Sequence, residues 1–194
     1  METKNIMIVG VGGQGTLLAS KLLGRLLLRK GADVKVSEVH GMSQRGGSVV
    51  TYVRWGDKVR SPIIDKGQAD YIVSFELLEA ARYTEYLKPD GKIITGSQQI
   101  NPMPVIAGMA AYPQDLEEKL ASSGIDVDVL DALALAEEAG SGRAVNLVLM
   151  GRLSRHFDFT LEEWMEAITS SVPPQFLELN KKAFALGRNE AAPA

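Results

Sequence analysis

The sequence holds no cysteine in 194 residues. That removes disulfides, cysteine nucleophiles and thiolate metal sites together. It also removes iron–sulfur ligation by this chain alone, since such clusters are held by cysteine thiolates. Histidine is nearly as scarce: only His40 and His156 are present, with no pair at helical spacing to suggest a metal motif. Charge of neither sign is in large excess. A net charge of −3 gives no electrostatic reason to expect nucleic acid or an anionic membrane as a partner. No apolar run reaches the roughly 18 residues of a membrane span. The first residues lead into a strand without the charged-then-apolar pattern of a secretory signal. The expectation is therefore a soluble, cytoplasmic protein. Its hydrophobic content of 45 % is enough for a sizeable core. Its length suits one domain, or one domain with a helical appendage.

What is present is an alternation of short apolar runs and amphipathic stretches. The run 6–9 (IMIV) is bounded by glycine, as in a buried parallel strand. G-V-G-G-Q-G follows at 10–15. Then 16–29 repeats leucine at 18, 22 and 26, with Leu23 and Leu27 widening the stripe of a helix. Gly31 is a helix stop, and 34–38 reads as a second strand. Strand, glycine turn, helix and strand make a right-handed βαβ unit. Beyond it, 49–54 alternates with strand period, and 59–60 is a candidate short antiparallel return. Further strands are expected at 71–75, 92–95 and 125–130. Helices are expected at 76–86, 113–122, 133–139, 145–157 and from 160 to about 171, with a last helix from the prolines at 173–174 to about 187. Residues 88–91 read as a tight turn and 101–104 as an irregular crossing. Thr160 and Glu163 fit a capping box. The fold class is α/β: a Rossmann-like, mostly parallel sheet with helices on both faces and a C-terminal helical segment. It forms a single domain over 1–187, helical from about 144, with 188–194 as a disordered tail.

Two glycine-rich stretches carry the chemistry. Gly10, Gly12 and Gly15 match G-x-G-x-x-G between a strand and a helix, a turn that aims backbone amides at anionic oxygens. Glu38 lies about 20 residues on, where an acidic group could take a ribose hydroxyl. This supports a stand-alone NAD(P)-binding oxidoreductase or sensor module, or else glycines that merely fold a tight turn. Gly13 and Gln14, which add a glycine and an amide inside the turn, weigh against NAD. The second stretch, 38–48 (EVHGMSQRGGS), is too glycine-rich and too polar for a simple connection. Arg45 in it suits a phosphate or carboxylate, or is a plain surface arginine. His40 could act as an acid or base near neutral pH, or be a hydrogen-bonded structural residue. Ser43, Ser48 and His40 do not form a convincing nucleophile system. Glu76 and Glu79 suit a helix N-terminus, and Asn146 suits a cap or an interhelical hydrogen bond. Met7, Met42, Met103 and Met109 read as core or interface filling.

Taken together, the two stretches resemble the gamma subunit, or gamma domain, of 2-oxoacid:ferredoxin oxidoreductases. The short motifs Ser61-Pro62, Ala69-Asp70 and 76–80 (ELLEA) fall where that family places similar ones, and the resemblance covers about 4–187. The size of the chain is most like the small subunit of the indolepyruvate branch. The resemblance implies oxidative decarboxylation of a 2-oxoacid on thiamine diphosphate with Mg, electron flow through iron–sulfur clusters to ferredoxin, and release of the acyl group on coenzyme A. It places thiamine and clusters on a large partner subunit, in keeping with the absence of cysteine. It leaves this chain Gly10, Gly12, Gly13, Gln14, Gly15, Ser43, Gln44, Arg45, Gly46 and Gly47 as cofactor-binding candidates. They would face the coenzyme A phosphates or dock the partner, with His40 a contact residue.

Overall fold

The computed structural model describes residues 2–40 and 46–189, His40 by its backbone alone. Six strands form one sheet in the order β2-β3-β1-β4-β5-β6. They are β1 (Lys4–Val11), β2 (Asp33–His40), β3 (Ser48–Gly56), β4 (Ala69–Ser74), β5 (Leu87–Gly96) and β6 (Asp126–Leu130). β1, β4, β5 and β6 are parallel neighbours. β3 runs antiparallel to both β1 and β2, so every strand but β3 points one way. Helices cover both faces, as the fold class requires. α1 (Thr16–Arg29), α6 (Val145–Leu153), α7 (Leu161–Ser171) and α8 (Leu177–Asn189) pack on one face against Ile6, Ile8, Val53 and Val73. α2 (Leu77–Arg82) and α4 (Leu116–Ser122) pack on the other, against Met7, Val9, Val50 and Ile72. The run 6–9 is apolar at every position because alternate side chains enter two covered faces.

The βαβ expectation needs correction. β1, α1 and β2 follow in order, but β2 is not the neighbour of β1. β3 folds back between them as a full-length antiparallel strand, with Ile8 opposite Thr51 and Glu38 opposite Thr51 on its other side. Strand pairing is non-local, and period-two alternation at 49–54 fixes a strand without fixing its neighbours.

Other boundaries move for local reasons. No strand forms at 59–60; the Val59 amide instead donates to Asp33 Oδ2 at 2.8 Å. The helix expected over 76–86 stops at Arg82 and closes with a 3₁₀ turn at Thr84–Tyr86. Residues 88–91 are not a turn but part of β5, whose pairing shifts register between Ala69 and Tyr71. The 101–104 crossing contains a short helix, α3 (Met103–Ile106). α4 begins at Leu116 rather than 113, after Asp115 in a left-handed conformation (φ 57°) that Asp tolerates better than most residues. α6 ends at Leu153, followed by a 3₁₀ turn. α8 starts after a 3₁₀ turn at the prolines and runs to Asn189, so 188–189 are helical; the rest of the expected tail lies outside the described residues. The helix α5 (Ala132–Ala139) and the Thr160–Glu163 capping box are as expected. Met7 is core, whereas Met103 and Met109 are 67 % and 77 % exposed.

Candidate functional site

The chain leaves β1 toward β2 and β3, and leaves β4 toward β5 and β6. The crevice between the carboxyl ends of β1 and β4 is thus the switch point of the sheet, where open α/β folds bind ligands. The first glycine loop occupies it. Gly13 (φ 102°) and Gly15 (φ 92°) adopt left-handed conformations that L side chains rarely take. Gly15 also abuts Asn146 so closely that a Cβ would meet its Nδ2 at 2.7 Å. Gln14 folds back over the crevice. Its Oε1 accepts from the Val11 amide at 2.7 Å, and its Nε2 donates to the Phe75 carbonyl at 3.1 Å. The side chain therefore staples the end of β1 to the end of β4.

The two glycine loops meet. The Gly12 amide donates to the Gly47 carbonyl at 2.8 Å, and the Gly46 amide to the Gly12 carbonyl at 3.4 Å. These bonds continue the β1–β3 ladder one step beyond Val11 and Ser48. Both ends of the 38–48 stretch therefore belong to strands, 38–40 to β2 and Ser48 to its antiparallel neighbour β3, which sequence reading did not anticipate. Ser43, Gln44, Arg45 and Met42 lie outside the described residues, as does the side chain of His40. Ser48 anchors the loop: its hydroxyl donates to Glu79 Oε2 at 2.5 Å and lies 3.1 Å from the Tyr83 hydroxyl. Burial pushes the Glu79 carboxyl above the usual range, against the opposing effect of the Ser48 hydrogen bond. Glu76 does more than open α2. Its buried carboxylate accepts from the Glu79 amide (2.8 Å), the Ile100 amide (3.0 Å) and the Tyr112 hydroxyl (2.5 Å). It so fixes the segment after β5 against the switch point.

These contacts change which donors remain. The amides of Gly12 and Gln14 are engaged within the fold. Those of Gly13, Gly15, Thr16 and Leu17 make no hydrogen bond among the described residues, at the positive end of a 14-residue helix. They face two clefts. One, of about 570 Å³, is lined by Gly13, Gln14, Gly15, Gln98, Leu133 and Arg143. The other, of about 400 Å³, is lined by Gly12, Thr16, Leu17, Glu38 and Val49. Arg143 was not among the sequence candidates. Its guanidinium makes no hydrogen bond or ion pair among the described residues, and its position 128 residues beyond Gly15 gave no local signal. This donor set suits a phosphate. No iron–sulfur cluster fits a chain without cysteine, and among the described residues no group of three or more His, Asp or Glu could hold a metal ion. His156 lies at the opposite, amino end of the parallel strands, beside Tyr71, Lys92 and Asp126, where burial lowers its pKa.

Fold and site together define an α/β chain of nucleotide-fold type. It carries two joined glycine loops at its switch point but departs from the dinucleotide-binding strand order. The sequence matches the family described as pyruvate ferredoxin/flavodoxin oxidoreductase over residues 5–190, and the chain belongs to that family. It is 46 % identical to the indolepyruvate oxidoreductase subunit IorB of Thermococcus kodakarensis, over 96 % of this chain and 95 % of that one. It is 40 % identical to the corresponding subunit of Archaeoglobus fulgidus, over 96 % and 94 %. The fold is that of the keto/oxoacid ferredoxin oxidoreductase gamma subunit from Geobacter sulfurreducens (TM-score 0.71, 22 % identity, 95 % and 96 % of the two chains).

Proposed function

We propose that this chain is the small subunit of a 2-oxoacid:ferredoxin oxidoreductase of the indolepyruvate type, working in the cytoplasm. The observation that carries this reading is similarity to indolepyruvate oxidoreductase subunits over 96 % of a chain whose two glycine loops join at the carboxyl end of β1. The partner is a large subunit bearing thiamine diphosphate, Mg and the iron–sulfur clusters. Those groups supply decarboxylation and electron transfer, and ferredoxin accepts the electrons from the complex. The acyl group leaves on coenzyme A. The chain's own contribution is the switch point: Gly13 and Gly15 offer free amides, Gln14 ties the end of β1 to the end of β4, and the Gly12–Gly47 pair holds the two loops in register. Arg45, with Ser43 and Gln44 beside it, is the candidate to bring charge to the coenzyme A phosphates.

The direct test is reconstitution. The chain alone should show no oxoacid-dependent reduction of ferredoxin; mixed with its large subunit and coenzyme A it should turn over arylpyruvates. Turnover by the large subunit alone at the same rate overturns the reading. Coenzyme A titrated into the assembled complex then tests the phosphate role: an unchanged affinity in Arg45→Ala sinks it and leaves docking of the partner as the role of the loop.

A further inference from the structure

Residues 93–114 hold no Asp, Glu, Lys or Arg, in a chain that is 23 % charged. The run begins buried in β5, but 101–111 lies largely at the surface. There Met103, Ile106 and Met109 are 67 %, 66 % and 77 % exposed, more than any other large apolar side chain among the described residues. Apolar side chains of a loop ordinarily turn inward to leave water. These are held outward on an ordered backbone. The amides of Val105 and Ile106 donate to the Pro102 carbonyl at 2.9 and 3.1 Å, and that of Met109 to the Pro104 carbonyl at 2.8 Å. One oxygen of the buried Glu76 pins both feet of the segment, accepting from the Ile100 amide at 3.0 Å and the Tyr112 hydroxyl at 2.5 Å. The result is an arch with an apolar crown, ordered within this chain alone.

The crown has the make-up of an interface centre. Such centres are depleted of charge, enriched in methionine and surrounded by polar groups. Here uncharged amides at Gln98, Gln99, Asn101 and Gln114 flank the crown along the chain. A surface without a cation offers nothing to nucleic-acid phosphates or anionic lipid headgroups. Its complement is a surface that is itself uncharged. Position says whose. Gln98 and Ile100 line the cleft at Gly13 and Gly15, and Met103 follows Ile100 within about 11 Å of chain. Crown and switch-point cleft are therefore neighbours on one face. A second copy seated on the crown would turn two such faces toward each other, whereas the large subunit of the proposed complex meets this face at the glycine loops. We infer that the crown at 103–109 is the anchor by which this chain docks into an uncharged, apolar recess of its large subunit. The inference rests on the small-subunit reading and adds the surface that joins the two chains. Because the arch is already ordered, docking costs it little conformational entropy.

The test measures assembly of the full-length chain with its large subunit by calorimetric titration and sedimentation velocity. Met103→Glu, Ile106→Glu and Met109→Glu each put a charge at an exposed position, so folding is retained, and thermal melts check this; if one variant melts early, the other two decide. Each should raise the dissociation constant at least about tenfold. Leu28→Glu and Leu161→Glu, at exposed apolar positions on α1 and α7, should leave it within about twofold. Assembly by the unaltered chain and the crown variants alike overturns this inference alone, and so does an equal loss in Leu28→Glu. Failure of the unaltered chain to assemble overturns the small-subunit reading together with it. A homodimer of the chain alone that Ile106→Glu dissolves, with assembly to the large subunit unchanged, gives the crown to a second copy and overturns the inference.

Discussion

Gln14 shows how much one side chain can decide. It closes the crevice at the switch point by bonding two backbone groups on different strands. Gln14→Ala leaves the Val11 amide and Phe75 carbonyl without that partner. The expected loss is about 1–3 kcal/mol in urea unfolding of the purified chain. Glu79 gives a pH signature. Its folded carboxyl titrates above the ordinary carboxylate value because of burial. Between those two values the folded state holds a proton that the unfolded state has released, so this group's contribution falls as pH rises through the window. Unfolding at pH 4.5 and pH 7 should therefore move the stability difference in favour of Glu79→Gln at the higher pH. A difference that does not change with pH contradicts this. The glycines of the first loop could be read from the sequence because they follow a strand and precede a leucine stripe. Arg143 could not, because only folding brings it to that loop.

At the scale of elements, α6 and α8 approach each other backbone to backbone. A Cβ on Gly151 would meet the Phe184 carbonyl oxygen at 2.1 Å, and one on Gly187 would meet the Val148 carbonyl oxygen at 2.0 Å. Each helix thus presents a glycine to the backbone of the other. Gly151→Ala is expected to cost more than about 2 kcal/mol by thermal or urea unfolding, since the obstacle is backbone and not a side chain that can rotate. α6 is also tied to β6. Arg152 is fully buried and binds Asp128 with two bonds, at 2.7 and 2.8 Å. Asp128→Ala removes that carboxylate from a buried guanidinium and should cost about 3 kcal/mol or more. The apolar composition of 145–157 correctly marked a buried helix. What it buries against was not legible, because the meaning of Gly151 and Gly187 lies in a contact between segments far apart in sequence.

On the scale of the whole molecule, the placement of β3 separates this chain from a dinucleotide-binding enzyme. In that fold the acidic residue ending the second strand stands beside the glycine loop. Here a full strand, about 4.8 Å of sheet width, lies between β1 and β2, although Glu38 still lines one cleft with Gly12, Gly13 and Gly15. The crevice itself is bridged by Gln14. NADH titrated into the purified chain should leave its fluorescence and mobility unchanged; saturable binding would restore the rival reading. The chain is a small subunit of a 2-oxoacid oxidoreductase complex, and among the described residues no helix is long and apolar enough to cross a membrane.

The sequence by itself determined the α/β class, the helices on both faces and the first glycine turn, because these follow from local periodicity and from residues that tolerate unusual backbone. With no cysteine, it also excluded a redox centre held by cysteine thiolates of this chain. Only the tertiary structure decided that both ends of the 38–48 stretch are strand residues of antiparallel β2 and β3, that β3 parts β1 from β2, and that Gly12 and Gly47 join the two loops. It alone set Gln14 across the switch point and Arg143 beside Gly15. The physical reason is the same in each case: these are pairings between backbone or side chains far apart along the chain, and no local pattern encodes which of many chemically suitable partners the folded sheet will bring near.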